Sequence, residues 1–470
     1  MNGRVKQFVG NISYVVSSNL TSTLISILIV LIVPKVLGVS EYGYWQMYLL
    51  YASYTGFLQL GWCDGVYLKY GGREYNQLNK ALMKSQFIYV TLMYILLGIL
   101  VIGSCILFFP EVVYPNILVY TGISGVITTA RGLFYYILQA TNRFKEYAKM
   151  TFLDRICFGI LVALFMLLGN QNFEMIVLAD LLGKAASLIG VLWICSDILK
   201  VKAASIKISL KEGLENIRIG IKLMFAGVAS MLIIGIVRLG IEAKWDIQTF
   251  SKVSLTLSIS NLLMVFINTV GLVMFPILRK TEQKNLPDIY KILRTAIMIP
   301  LLGMLIFYYP VKEILSMWLP KYADSLHYMA LLFPLCIFES KMSLLINTYL
   351  KALRKEKQIL IVNVIAVCSS AILSYIVINI MESITLAVVL IVVLIGFRCL
   401  IAEYCISTIL KISVVKDFLL EVILSAVFMV VSWNIDNASS MIIYAFAYIF
   451  YLFIKRNSIK EIYKKVKALK

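Results

Sequence analysis

With a single histidine, His327, in 470 residues, the chain has little from which to build a histidine-ligated metal site or a nucleophile–histidine triad. Neither HExxH nor GxSxG occurs. Its eight cysteines are scattered with no CxxC pair, so they read as small apolar packing residues, with no disulfide framework or metal site expected. No GxxxxGKS/T loop is present, and the Gly71–Gly72 pair reads as a turn. A pump that hydrolyses nucleotide at its own site is thereby excluded. No cofactor is expected. Charge is scarce as well, at 15% of residues against 61% hydrophobic. A soluble globule of this length has too little interior to hide so much apolar surface.

What the chain has instead is a series of long apolar runs. About fourteen segments of roughly 17–25 residues are each long enough to cross a ~30 Å hydrocarbon core as a helix. They fall near 12–33, 43–63, 85–109, 116–138, 151–169, 174–195, 219–237, 253–277, 292–309, 326–349, 359–380, 384–407, 417–433 and 439–454. Of the 44 Lys and Arg, about 32 lie in the termini and even-numbered loops, about 6 in odd-numbered loops and about 6 within spans. This is the positive-inside pattern, and it predicts a multi-pass protein of the cell membrane with both termini cytoplasmic. The first span is too long for a signal-peptide core and is expected to be retained. The net charge of +19 needs no nucleic acid to explain it, because anionic membrane lipids attract basic residues beside helix ends. Trp45, Trp62, Trp193, Trp245, Trp318 and Trp433 each fall near a predicted interface.

The spans group into a predicted layout of residues 1–195 as a six-helix bundle, 196–218 as a cytoplasmic amphipathic linker, 219–410 as a second six-helix bundle, and 411–470 as two further helices and a basic tail. In the linker, Ile206, Leu210, Leu214 and Ile217 share one helical face while Lys207, Lys211 and Arg218 lie elsewhere, the pattern of a helix at a membrane interface. Residues 138–145 (Leu-Gln-Ala-Thr-Asn-Arg-Phe-Lys) resemble 350–357 (Leu-Lys-Ala-Leu-Arg-Lys-Glu-Lys) at an offset of about 212 residues. Six spans separate the copies, so the two bundles would be related by a pseudo-two-fold axis along the membrane normal. No outer loop looks longer than ~18 residues, Pro310–Leu326 being among the largest, which leaves no room for an outer catalytic domain.

Charges within spans cost about 2.5–3.5 kcal/mol each on insertion scales, so each calls for a partner or a function. Arg131 and Lys341 lie near mid-span on repeat-related helices, as do Lys184 and Arg398. Four cations facing one cleft would form an anion-attracting, substrate-binding cavity. The alternative is local neutralisation, pairing Asp180 with Lys184, Glu339 with Lys341 and Glu403 with Arg398; Arg131 has no acid in its own span. Asp154 and Arg155 open span five and Asp64 closes span two, where snorkelling, capping, charge pairing or ion coupling are open roles. Ser13, Ser17, Ser18, Asn19, Thr21, Ser22 and Thr23 in span one, with Ser258, Ser260, Asn261 and Asn268 in span eight, suit either an aqueous path or helix–helix contacts. His327, at the outer end of span ten, reads as a solvated loop residue.

Three stretches carry a family resemblance: residues 37–44 (Leu-Gly-Val-Ser-Glu-Tyr-Gly-Tyr), 61–72 (Gly-Trp-Cys-Asp-Gly-Val-Tyr-Leu-Lys-Tyr-Gly-Gly) and 139–147 (Gln-Ala-Thr-Asn-Arg-Phe-Lys-Glu-Tyr). Their order within this layout resembles the Wzx-type oligosaccharide flippases of the multidrug/oligosaccharidyl-lipid/polysaccharide exporter superfamily. The resemblance implies an all-α fold in which two six-helix bundles form a V-shaped cation-lined cavity, with two helices at the side. It also implies a non-enzymatic carrier that moves a polyprenyl-diphosphate-linked glycan across the membrane by alternating access. Its partners would be membrane lipids and polysaccharide polymerase or glycosyltransferases. The Arg-rich motif that related lipid II flippases carry early in span one is not evident here. Two other classes stay open. An ion-coupled drug or cation antiporter of the same superfamily would favour acidic intramembrane residues, whereas a membrane polysaccharide polymerase or glycosyltransferase would want a large outer loop.

Overall fold

The structure, a computed structural model, describes residues 25–108, 114–169, 171–280, 285–435 and 438–460. The polar residues of span one from Ser13 to Thr23, the side chain of Asn268 and both chain termini lie outside the described residues. Among those described, the secondary structure is entirely helical. Among the described residues, nine helices are long and apolar enough to cross a membrane, from Lys80–Leu107 to Ile384–Leu410. The other five expected spans fall on Ile25–Val36, Val39–Thr55, Ile247–Lys280, Val415–Asn434 and Ala438–Ile454, which are shorter, more charged or only partly described. The chain divides into two compact units, residues 1–228 and 229–470, with the boundary inside the Ile206–Lys244 helix.

In the first unit, Trp62, Val66, Met83, Val90, Phe134, Leu138 and Val191 form the core between the helices that carry them. Lipid-side positions stay uncovered. Leu100 is 67% exposed and Trp193 80%, tolerable only where hydrocarbon or its interface is the solvent. Trp45 and Trp62 depart from the interface expectation, because both are buried in protein and the Trp62 indole N–H donates to Gln86 Oε1 at 2.8 Å. A buried indole needs such an acceptor.

The start of the linker region is held by side chains of the first unit. One turn, Ser196–Lys200, is held by Tyr75 Oη donating to Asp197 at 2.8 Å and by Lys80 at 2.9 Å from the same carboxylate. Burial pushes Asp197 up, but these two partners outweigh it and hold the carboxyl below its usual range. From Ile206 the chain runs as one 39-residue helix, close to 58 Å long at 1.5 Å per residue and so about twice a hydrocarbon core. Its small face, Gly213, Asn216 and Gly220, packs onto the Trp62–Tyr70 helix and the Gly61 before it, while Ile206, Leu210 and Leu214 point outward. A Cβ at Gly65 would stand 1.9 Å from the Asn216 carbonyl oxygen, and one at Gly220 2.0 Å from that of Gly61. Only glycine permits this crossing. Lys69 at 2.8 Å from Glu212, and Tyr70 donating to the same carboxylate, fasten its rim.

In the second unit the segment Met329–Ala352 is buried almost all round and interrupted by a π-turn at Lys341–Ile346. The helix beginning at Leu286 carries on through Trp318, so the first part of the expected outer loop Pro310–Leu326 is helix and the rest short helical turns. The sequence repeat has a matching backbone in both units. Arg143 N–H donates to Leu138 C=O at 2.8 Å with Asn142 at φ 59°, and Lys355 N–H donates to Leu350 C=O at 2.7 Å with Arg354 at φ 54°. Each is a six-to-one helix stop with a left-handed residue, followed by a new helix at Phe144 and at Glu356 respectively.

Candidate functional site

Intramembrane charge in the first unit gathers where four helices meet. Arg131, from Pro115–Ala140, donates from Nη1 to Asp154 of Phe144–Leu167 at 2.7 Å and lies 5.1 Å over the Tyr135 ring. Beside it Lys184 sits 2.6 Å from Asp180, one turn earlier on its own helix, and donates to Ser124 Oγ at 2.8 Å. Tyr48 Oη donates to Asp180 at 2.6 Å. Tyr135 and Ser187 share a further hydroxyl–hydroxyl bond. Two cations face two carboxylates, so the group is formally neutral. Side-chain exposure is 11% for Arg131 and 15% for Lys184, which leaves both edges within reach of a ligand.

The second unit builds a tighter group. Arg294 Nε is 2.7 Å from Glu403 and Nη1 is 2.7 Å from Glu421, while Lys341, from the π-turn, bridges the same two carboxylates, 2.7 Å from Glu421. Tyr290 Oη donates to Glu403 at 3.1 Å. Lys341 and Glu421 have no exposed side-chain surface, and Arg294 only 2%. Asp417, nearer the surface, takes Arg294 at 3.4 Å and also Lys455. Separately, Arg398 donates to Asn363 Oδ1 at 2.9 Å and pairs with Glu339 at 3.2 Å. The π-turn widens the helix by one residue and carries Lys341 at its start, between the two acids.

The structure reassigns several partners. Arg131 finds its acid on the following helix, a contact that residue spacing within one span does not reveal. Glu339 pairs with Arg398 and not Lys341, and Glu403 pairs with Arg294 and Lys341 and not Arg398. Asp180–Lys184 is the one local pair made as the i,i+4 spacing suggests. Asp154 and Arg155 lie at the middle of Phe144–Leu167, because that helix starts two turns before the apolar run. Asp64 accepts a hydrogen bond from Tyr136 Oη at 3.3 Å. Ser258 and Ser260 bond back to carbonyls of their own helix at 2.9 and 2.8 Å, and His327 stacks on Trp433 at 4.0 Å between ring centres. Arg294 and Glu421 are absent from the sequence candidates because they lie near predicted span ends, where charge is ordinary.

Three solved structures share this fold. The lipid II flippase MurJ in an inward closed conformation superposes with a TM-score of 0.63 at 17% identity, covering 94% of this chain and 98% of that one. An inward-facing multidrug resistance MATE family transporter of the MOP superfamily gives 0.55 at 11% identity, with 88% and 98% covered. A MOP superfamily transporter from Pyrococcus furiosus gives 0.50 at 11%, with 86% and 95% covered. No protein-family model matches the sequence, and no curated protein does. The chain thus has the all-helical, multi-pass membrane fold that these transporters share.

Proposed function

We propose that the protein is a flippase that carries polyprenyl-diphosphate-linked oligosaccharide repeat units from the cytoplasmic to the outer leaflet, supplying surface polysaccharide such as capsule or O-antigen. The observation that carries this reading is the likeness, over 94% of the chain, to a solved lipid II flippase. The sequence resemblance to Wzx-type flippases supports the oligosaccharide form. Physical chemistry sets the demands: a diphosphate and its sugars cannot cross bare hydrocarbon, whereas the polyprenyl tail can remain in lipid. Arg131 and Lys184 are the cations we assign to the polar part of the substrate, since both are paired yet partly accessible. Lys341 and Arg398, buried and fastened to carboxylates, serve first to tie helices together.

A drug or cation antiporter is the second reading, favoured by the likeness to a MATE transporter. A site for a cation wants surplus negative charge, and both clusters described here balance two cations against two carboxylates. Proteoliposomes decide between the readings. With a labelled polyprenyl-diphosphate oligosaccharide in the lipid, the protein should make the sugar accessible from the opposite leaflet to a membrane-impermeant hydrolase, and should leave a cationic dye gradient unchanged. Lipid II translocation with no oligosaccharide translocation would reassign the substrate to peptidoglycan precursor, and dye antiport alone would overturn the flippase reading.

A further inference from the structure

Within the second unit the end of Ile206–Lys244 and the end of Glu356–Ile380 run side by side and parallel. Ser370 donates to Ile233 C=O at 2.7 Å, a Cβ at Gly240 would stand 2.5 Å from Ile378 Cδ1, and Lys244 pairs with Glu382 at 2.5 Å. Between them lies a cavity of about 310 Å³, lined by Ala371, Ser374, Tyr375 and Asn379 on one helix and by Ile236 and Lys244 on the other. Ala371 and Tyr375 are exposed, so its mouth is on the lipid side. Two features mark it as more than a packing gap. Ser374 is 4% exposed, and its hydroxyl has no hydrogen-bond partner among the described residues, although Ser370 one turn earlier reaches the facing carbonyl. A buried hydroxyl without a partner is costly, so this one calls for a ligand atom. Directly after it, Ile376–Ile380 forms a π-turn, which widens the backbone beside the cavity.

Two helix C-termini converge at this cavity, and their last carbonyls carry partial negative charge. Together with the Glu382 carboxylate they favour an ammonium, whereas Lys244, the cation that lines the cavity, favours a phosphate. A ligand that answers both carries the two charges a few bonds apart. It must also have N–H groups to donate, to the Ser374 hydroxyl and to Asn379, whose amide makes no side-chain hydrogen bond among the described residues. A quaternary ammonium has no N–H and is held instead by a cage of aromatic rings, and Tyr375 is the one aromatic side chain lining this cavity. We propose that the cavity seats the head of a phospholipid that bears a phosphate and a primary ammonium. The phosphate lies on Lys244, the ammonium toward Glu382 and the helix ends, and the acyl chains leave past Ala371 into the bilayer. The site does not depend on what the protein carries.

The test uses the full-length protein in detergent micelles, offered in turn phosphatidylethanolamine, phosphatidylcholine and phosphatidylglycerol with the same acyl chains, and retained lipid is read by native mass spectrometry. Phosphatidylethanolamine should be retained about tenfold over each of the other two. Glu382→Gln should bring it to within about twofold of phosphatidylcholine. Ala371→Phe, which fills the cavity from its exposed side, should lose about tenfold of the phosphatidylethanolamine retention, and both variants should keep the melting temperature of lipid-free protein. Glycerophosphoethanolamine, the same head without acyl chains, should not displace the lipid at matched concentration. Equal retention of phosphatidylcholine or phosphatidylglycerol would show an ordinary annular lipid shell and overturn the proposal, as would unchanged retention in Ala371→Phe. Displacement by glycerophosphoethanolamine would show a site for the free head and overturn the assignment to a lipid.

Discussion

Arg131 and Lys341 stand at similar places in the repeat, yet the charge clusters they join end in different physical regimes. In the first unit each cation has one carboxylate, supplemented by Tyr48 and Ser124, and keeps an exposed edge. In the second, Arg294 and Lys341 both bridge Glu403 and Glu421 with almost no exposed surface. A closed network with every ion doubly held resists any exchange of partner, because removing one ion strands the others in a medium that cannot solvate them. A singly paired ion with an exposed edge has one carboxylate to exchange for a ligand phosphate, where a doubly held ion has two. On the function proposed above, the second cluster serves stability and the first ligand contact.

The sharpest way to break this contrast is Lys341→Met. It leaves two buried carboxylates with one guanidinium and should cost about 3–5 kcal/mol, seen as loss of folded protein from the membrane. Adding Glu421→Gln should recover much of the level, whereas near-normal stability of Lys341→Met alone would place the second cluster in the same regime as the first. Next in size is the helix crossing of the first unit. Gly65→Ala forces a Cβ to 1.9 Å from the Asn216 carbonyl oxygen, and overpacking of this kind costs about 1–3 kcal/mol or more, measurable as a fall in melting temperature.

The first cluster is tested through transport and not stability. Arg131→Ala should abolish glycan export with protein level roughly normal, and Arg131→Lys should retain part of it if charge outweighs bidentate geometry. The double variant Arg131→Ala with Asp154→Asn separates the roles: recovered export would mean that Arg131 serves only to neutralise Asp154. The smallest effect belongs to Lys244–Glu382, paired at 2.5 Å on the exposed rim of the second unit. Lys244→Ala should change stability by less than about 1 kcal/mol, within the scatter of a melting curve. Orientation is checked independently by cysteine labelling, which should reach Asn172 or Asp324 from outside and miss Asn285.

Much of the helical layout is legible in the sequence because a bilayer imposes a one-dimensional rule: backbone polar groups must be satisfied within each segment, so apolar length alone marks a helix. The repeat is legible for a similar reason. The stops at Leu138–Arg143 and Leu350–Lys355 are local hydrogen-bonded turns, and local geometry leaves a local trace. Helix ends are less legible, as the early starts at Phe144 and Leu286 show, since polar first turns carry no hydropathy signal.

By itself, then, the sequence determined that this is an all-helical membrane protein, where its apolar helices fall, which cations lie among them, and that one turn recurs in both units. Only the tertiary structure decided what those cations touch. Arg131 meets Asp154 across 23 positions, Lys341 meets Glu403 across 62, and Arg294 meets Glu403 across 109. Periodicity reports the neighbours of a residue on its own helix, and the one pair it found, Asp180–Lys184, is of that kind. The rest depends on which helices pack together and on which face, so the partner of a charge such as Arg131 stays hidden until the chain is folded.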